Sequence, residues 1–196
     1  RSTADLLRPV YNRTNAADGY VSLEVNPALA HDTNGTISEA KRLFGAVDRQ
    51  NVMVKVPATP QGIPAIRGLI AEGVNVNVTL IFSLDTYRKV VEAYLAGINE
   101  LARIGGDLSK IASVASFFVS RVDTMVDALL EQQILQGRED LKPLLGKAAV
   151  ANAKLAYEVC KRMFGSDRFS VLQANGARIQ RPLWASTSTK NAAYSD

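Results

Sequence analysis

Among its 196 residues the sequence has one cysteine, one histidine and one tryptophan, and the first two scarcities each exclude a chemistry. A single thiol, Cys160, forbids an intramolecular disulfide. With Ala156, Tyr157, Val159 and Met163 around it, it reads as part of a helix packed into a core, and a reducing cytoplasm suits such a chain. His31, the lone histidine, excludes His-based triads and multi-histidine metal sites; beside Asp32 it reads as a surface residue. No apolar stretch approaches the ~18 residues of a membrane span, and Arg1 to Asp5 opens without the apolar segment of a signal peptide, so no membrane partner is expected. Nor does the chain start with Met, from which a non-native N-terminus is expected. Lys and Arg (23) exceed Asp and Glu (19) by only four and are spread along the chain. No basic run forms a nucleic-acid footprint, and the small positive excess leaves a weak preference for anionic metabolites.

What is present is a globular composition, 47% hydrophobic and 21% charged. Its prolines and glycines fall singly between apolar runs, so no linker is visible and residues 1–196 are expected to form a single domain. Short apolar runs predict strands at Tyr20–Val25, Val52–Val56, Asn75–Phe82, Ile111–Val119, Phe169–Leu172 and Leu183–Ser186. Between them, apolar residues at spacings of three and four predict helices. One follows a capping box at Thr36–Glu39, one spans Pro60 to Glu72, and one is capped by Ser83 and stopped at Gly105-Gly106. Another runs through Val122, Met125, Val126 and Leu129, and a further one from about Leu144 to Phe164. Repeated strand–helix units mean an α/β chain with a parallel sheet, either an open doubly wound sheet or a closed barrel.

Polar residues inside the strands favour the barrel. Ser22, Glu24, Lys55, Asn75, Asn77 and Thr79 occupy the alternate face of otherwise Val-rich strands, expected near their C-terminal ends, where a β/α barrel gathers its site. No G-x-G-x-x-G or Walker sequence marks the loop crevice of an open sheet. A (β/α)8 barrel takes ~250 residues, so this chain is expected to be a partial barrel domain over 1–196, or an unusually compact one.

Lys55, flanked by Val54 and Val56, is costly to bury as an ammonium and gains as a neutral amine, the nucleophile of Schiff-base chemistry; the alternative is an ion pair with Glu24. Glu24, in an enclosed interior, suits a proton shuttle acting through water. Thr79 and Asn77, two apart on one face, can present a hydroxyl and an amide to that water and to substrate hydroxyls, or be satisfied core residues. Arg121, between a strand and a helix, suits a phosphate at the mouth, or a pair with Asp123. The cluster Trp184 to Asn191, with four hydroxyls and Lys190, suits the same anion or is merely solvated.

YVSLEVNPALA, VMVKVPATPQGIPAI, EGVNVNVTLIFS, ASFFVSRVD and RPLWASTSTKN, in that order and over essentially the whole chain, closely resemble bacterial transaldolases. The resemblance implies an incomplete (β/α)8 TIM barrel of the class I aldolase type. It further implies transfer of a dihydroxyacetone unit from a ketose phosphate, sedoheptulose 7-phosphate or fructose 6-phosphate, to an aldose phosphate in the pentose phosphate pathway. Sugar phosphates would be the partners, with no cofactor and no metal. Lys55 would form the imine, Glu24 would be the catalytic glutamate and Thr79 would hold the catalytic water. Asn77, Ser116 and Phe118 match substrate-site positions, Arg121 and Ser186 phosphate-binding positions, and Lys190 stands where shorter members use arginine. The family's upstream aspartate, an acid/base in carbon–carbon cleavage, has no match, for Asp5 and Asp18 lie outside its motif. A fructose-6-phosphate aldolase-like lyase and a non-catalytic sugar-phosphate-binding fragment stay open as alternatives, and no sequence pattern assigns an oligomeric state.

Overall fold

A computed structural model describes residues 1–192 and 194. In chain order the elements are α1 (Ser2–Arg13), β1 (Val21–Glu24), α2 (Thr33–Val47), β2 (Val52–Pro57), α3 (Gly62–Ala71), β3 (Val76–Ile81) and α4 (Leu84–Arg103). They continue with β4 (Ser113–Phe118), α5 (Ser120–Leu135), α6 (Ala148–Phe164), α7 (Asp167–Ala174) and β5 (Arg181–Ala185). The five strands form one parallel sheet in the order β1-β2-β3-β4-β5, each paired with its neighbour in sequence.

The sheet has two unlike faces because its strands alternate. Val54, Val56, Val76, Val78, Ala115 and Phe117 point to the helices, where Ile66, Leu69 and Ile70 of α3 and Tyr87, Val91, Tyr94 and Ile98 of α4 complete the core. Burying each such aliphatic side chain is worth about 1.5–3 kcal/mol relative to leaving it in water. Helices α3 and α4 cross closely at Gly97, where a Cβ would stand 2.6 Å from the Arg67 carbonyl oxygen. The opposite face carries the polar residues. Its N-terminal end is closed by a small apolar group of Met53, Ala112 and Val114, with Tyr20 against it.

At that N-terminal end the two edges of the sheet are tied together. Arg178 donates from Nη1 to the Ala16 carbonyl (2.6 Å) and from Nη2 to the Asn15 carbonyl (3.3 Å). Both acceptors have positive φ, +60° at Ala16 and +50° at Asn15. Asn51, fully buried, donates to the carbonyls of Ala4 and Gly19 and so fixes α1 beside β1. Among the described residues no helix is long and apolar enough to cross a membrane.

Several expectations are corrected. Phe169–Leu172 is not a strand but the middle of α7. Ser166 caps that helix by accepting the Phe169 N–H, and Phe169 and Leu172, three apart, are buried while Ser170 and Val171 between them are exposed. The cap of α2 is Asp32, whose carboxylate accepts the Gly35 N–H at 2.9 Å. Thr36 lies inside that helix and donates to the Leu29 carbonyl, and Glu39 pairs with Arg42. Helix α6 starts at Ala148, after a 3-10 turn at Glu139–Leu144. Ser83 does cap α4, accepting from the Thr86 N–H at 3.1 Å. Cys160 is buried on α6, and His31 is exposed, 3.5 Å from Gln61 Oε1.

Candidate active site

In a parallel pair, residues in register project to the same side of the sheet. Glu24 on β1 is in register with Lys55 on β2, and Lys55 with Asn77 on β3, so three polar side chains stand in a row across consecutive strands. Lys55 Nζ lies 3.7 Å from Glu24 Oε2. The lysine is less buried than its valine neighbours predict, with its side chain 32% exposed, and Glu24 is 52% exposed. The enclosed interior expected for Glu24 is absent because β1 is an edge strand with β2 as its one neighbour.

Asn77 is held at both ends. Its Nδ2 donates to Ser22 Oγ (2.9 Å) and its Oδ1 accepts from Ser116 Oγ (2.8 Å), a polar belt linking β1, β3 and β4. These bonds fix which way the amide faces. Thr79 follows one pleat further on, in register with Pro57, and is 1% exposed, yet its Oγ1 has no hydrogen-bond partner among the described residues. A buried hydroxyl left unbonded costs roughly 1–3 kcal/mol, which suits a group kept for a ligand or a water. Immediately beyond it the pleat breaks: Leu80 adopts φ +61° and the β3–β4 register shifts between Val78 and Ile81. Irregularities of this kind cluster beside sites because they re-aim side chains.

The mouth continues on β4 and α5. Phe118 closes β4, with its ring 5.1 Å from that of Phe82. Arg121, the second residue of α5, lies over Phe118 with its guanidinium carbon 5.0 Å from the ring centroid. The alternative pairing of Arg121 with Asp123 does not form: Asp123 Oδ1 accepts the Ala149 N–H at 2.7 Å. Ser186, just past β5, has φ +55° and is bound to the start of α5, its carbonyl accepting both the Ser120 N–H (2.9 Å) and the Ser120 hydroxyl (2.6 Å). Arg121 and Lys190 line one cleft of about 710 Å³ with Thr124, Met125, Ala128 and Leu129. Two cations over an apolar floor with no carboxylate among its lining residues favour an anion.

The structure therefore assembles the sequence-derived residues in two groups. Glu24, Lys55, Asn77, Thr79, Ser116 and Phe118 share the inner face, and Arg121, Ser186 and Lys190 gather at the head of α5. Ser22, Ser120, Asp127 and Tyr194 were not among the predicted site residues. Ser22 carried a visible signal, its place on the polar face of β1, whereas Asp127 and Tyr194 meet across 67 residues and leave no local pattern.

Polar groups gathered at the carboxyl ends of consecutive parallel strands, with helices on the other face, are the arrangement of β/α-barrel sites. Comparison with known proteins narrows this class. The profile of the Transaldolase/Fructose-6-phosphate aldolase family matches residues 1–196. The chain is 56% identical over 196 residues to a transaldolase of Mycolicibacterium smegmatis, covering all of this chain and 52% of that protein. It is 54% identical to transaldolase 2 of Streptomyces coelicolor, again covering all of this chain and 52% of the relative. A transaldolase of Trichodesmium erythraeum is 49% identical over 201 residues, with 53% of its length covered. The chain belongs to the transaldolase/fructose-6-phosphate aldolase family. It spans about half the length of the curated relatives it matches.

Proposed function

We propose that the site carries out transaldolase chemistry through a Schiff base on Lys55. The reading is carried by the Lys55–Glu24 pair at the carboxyl end of β1 and β2, 3.7 Å apart, and is supported by the family and by the relatives' names. The lysine amine adds to the carbonyl carbon of a ketose phosphate. Protonation of the resulting carbinolamine hydroxyl, relayed from Glu24 through a water on Thr79, releases water and leaves the iminium. Asn77 and Ser116 hold substrate hydroxyls, Phe118 flanks the chain of the sugar, and Arg121, Ser186 and Lys190 hold the phosphate. Asp5 takes no part, since it is paired with Arg49 ahead of β2, at the opposite end of the strands. Asp18 likewise precedes β1. The same residues serve transfer of dihydroxyacetone to an aldose phosphate and its release as a free product, and the family description spans both. Transfer is the reading favoured by the relatives' names. We infer a cytoplasmic setting, which the lone buried Cys160 supports.

Borohydride reduction in the presence of fructose 6-phosphate tests the assignment. A sugar adduct located at Lys55 by mass spectrometry, and lost in Lys55→Ala, is the expected result; an adduct that survives the substitution overturns it. Product analysis with and without an aldehyde acceptor separates transfer from lysis. A chain that binds sugar phosphate but traps no adduct is a binding fragment only.

A further inference from the structure

The segment from Ser186 to Tyr194 is fastened to α5 at both ends, and the second fastening has no role in the chemistry so far described. Tyr194 donates its phenol hydrogen to Asp127 Oδ2 at 2.7 Å, and Asp127 Oδ1 accepts the Gly146 N–H at 3.0 Å. Asp127 is 6% exposed, so this carboxylate sits inside the protein with both oxygens engaged. The Tyr194 ring lies against Gly146, which has φ +68° and where a Cβ would come within 2.9 Å of the ring Cζ. A bare, left-handed glycine makes the shelf on which the ring rests.

The two fastenings fix the path of the loop. Ser120 and Asp127 are seven residues apart on α5, about 10 Å along its axis. Eight residues of extended chain would span more than twice that, at about 3.3 Å each. The described residues of the segment are therefore not fully extended. The Tyr194 N–H donates to the Asn191 carbonyl at 3.1 Å, and Lys190 Nζ donates to Ser188 Oγ at 2.6 Å. In this folded form Lys190 borders two spaces. One is the Arg121 cleft; the other, of about 490 Å³, is walled by Asp123, Asp127 and Glu131. A lysine on a free loop would be drawn toward the carboxylates.

We propose that Tyr194 and Asp127 are positioning residues that latch the 186–194 loop onto α5 and so keep Lys190 beside Arg121 for the substrate phosphate. The proposal rests on the phosphate reading above. Tyr194→Phe keeps the ring on Gly146 and removes only the hydrogen bond. Inorganic phosphate and fructose 6-phosphate are expected to bind this variant about 10-fold more weakly, the order of one lost charge-assisted hydrogen bond. Amide hydrogen exchange should accelerate across 187–192 and nowhere else. Borohydride trapping of dihydroxyacetone at Lys55, a ligand with no phosphate, should keep its original rate, which a general loss of structure would not allow. Asp127→Asn, able to bond both Gly146 and Tyr194 in a weaker form, should fall between. Unchanged phosphate affinity in Tyr194→Phe, with binding abolished in Arg121→Ala, overturns the latch and leaves the phosphate reading standing. Unchanged exchange at 187–192 overturns the latch itself, and an unsubstituted chain that binds no phosphate overturns the phosphate reading and the ligand named here together.

Discussion

Arg121 lies over Phe118, the guanidinium carbon 5.0 Å from the ring centroid, so the last side chain of β4 supports the first cation of α5. The cation–π contact holds the guanidinium at the mouth without a carboxylate partner among the described residues, leaving its N–H groups to a ligand.

Arg121→Ala should raise KM for phosphorylated substrates about 10–100-fold, the factor that hydrogen bonds to a charged group of about 1.5–3 kcal/mol imply. Dihydroxyacetone and fructose, which lack the phosphate, should be nearly unaffected. Arg121→Lys should restore little, because an ammonium neither stacks on Phe118 nor presents a fork. Steady-state kinetics on both substrate types decide it; equal losses would make Arg121 a scaffold residue.

Glu24→Gln removes the carboxylate proposed as the proton shuttle beside Lys55 while keeping its shape. A fall in kcat of ~10²–10⁴ with little change in KM is expected, the usual range for a lost general acid or base. A kcat that stays put would leave Glu24 as a counter-ion to Lys55.

Gly97→Ala tests the α3–α4 crossing. The added methyl meets the Arg67 carbonyl and the Ile70 side chain at 2.6 and 2.8 Å, so the helices must part. Urea unfolding should show a loss of about 1–3 kcal/mol, typical of overpacking. The same substitution at Gly45, where a Cβ meets nothing within 4 Å, should cost nothing and serves as the control.

The Asp127 carboxylate beside it pushes the Tyr194 phenol up to about 12. The phenol donates only while protonated, and its folded value lies above the unfolded one of about 10. The contact therefore contributes in full below that lower value and is lost as pH rises through the upper one. A difference absorbance titration of the chain against Tyr194→Phe should show one tyrosinate appearing near the upper value; appearance near the lower would mean that Asp127 does not hold it.

The strands were legible wherever one face was bound to be apolar. VMVKVP and VNVTLI alternate because valines pack on helices while Lys55, Asn77 and Thr79 face away, and that alternation also revealed the inner-face site. Phe169–Leu172 misled because four residues hold too little of either period, and Val171, apolar on the exposed side of a helix, made the run read as continuous strand. Helix α1 went unread although Ala4, Leu7 and Tyr11, at spacings of three and four, form its inward stripe: Ala4 is the only one of them fully buried, Pro9 lies inside the helix, and exposed Leu6 blurs the pattern. Thr36 looked like a cap because its spacing to Glu39 fits, yet the Thr36 hydroxyl was drawn back to the Leu29 carbonyl and Asp32 took the free N–H. The docking of the 186–194 loop depends on a tertiary contact alone, which no local pattern encodes.

Because each strand pairs only with those adjacent to it in sequence, the sheet can be assembled in the direction of synthesis, each β/α unit adding to a finished edge. The Arg178 bonds to Ala16 and Asn15 are of another kind, closing a loop of more than 160 residues. Closure entropy grows only with the logarithm of loop length, so the clasp costs little more than a shorter one would, but as a contact of long sequence separation it is expected to form more slowly than the local pairings. It ties the far edges of the five-strand arc at one end, a long-range contact laid over a sheet whose every other pairing is local.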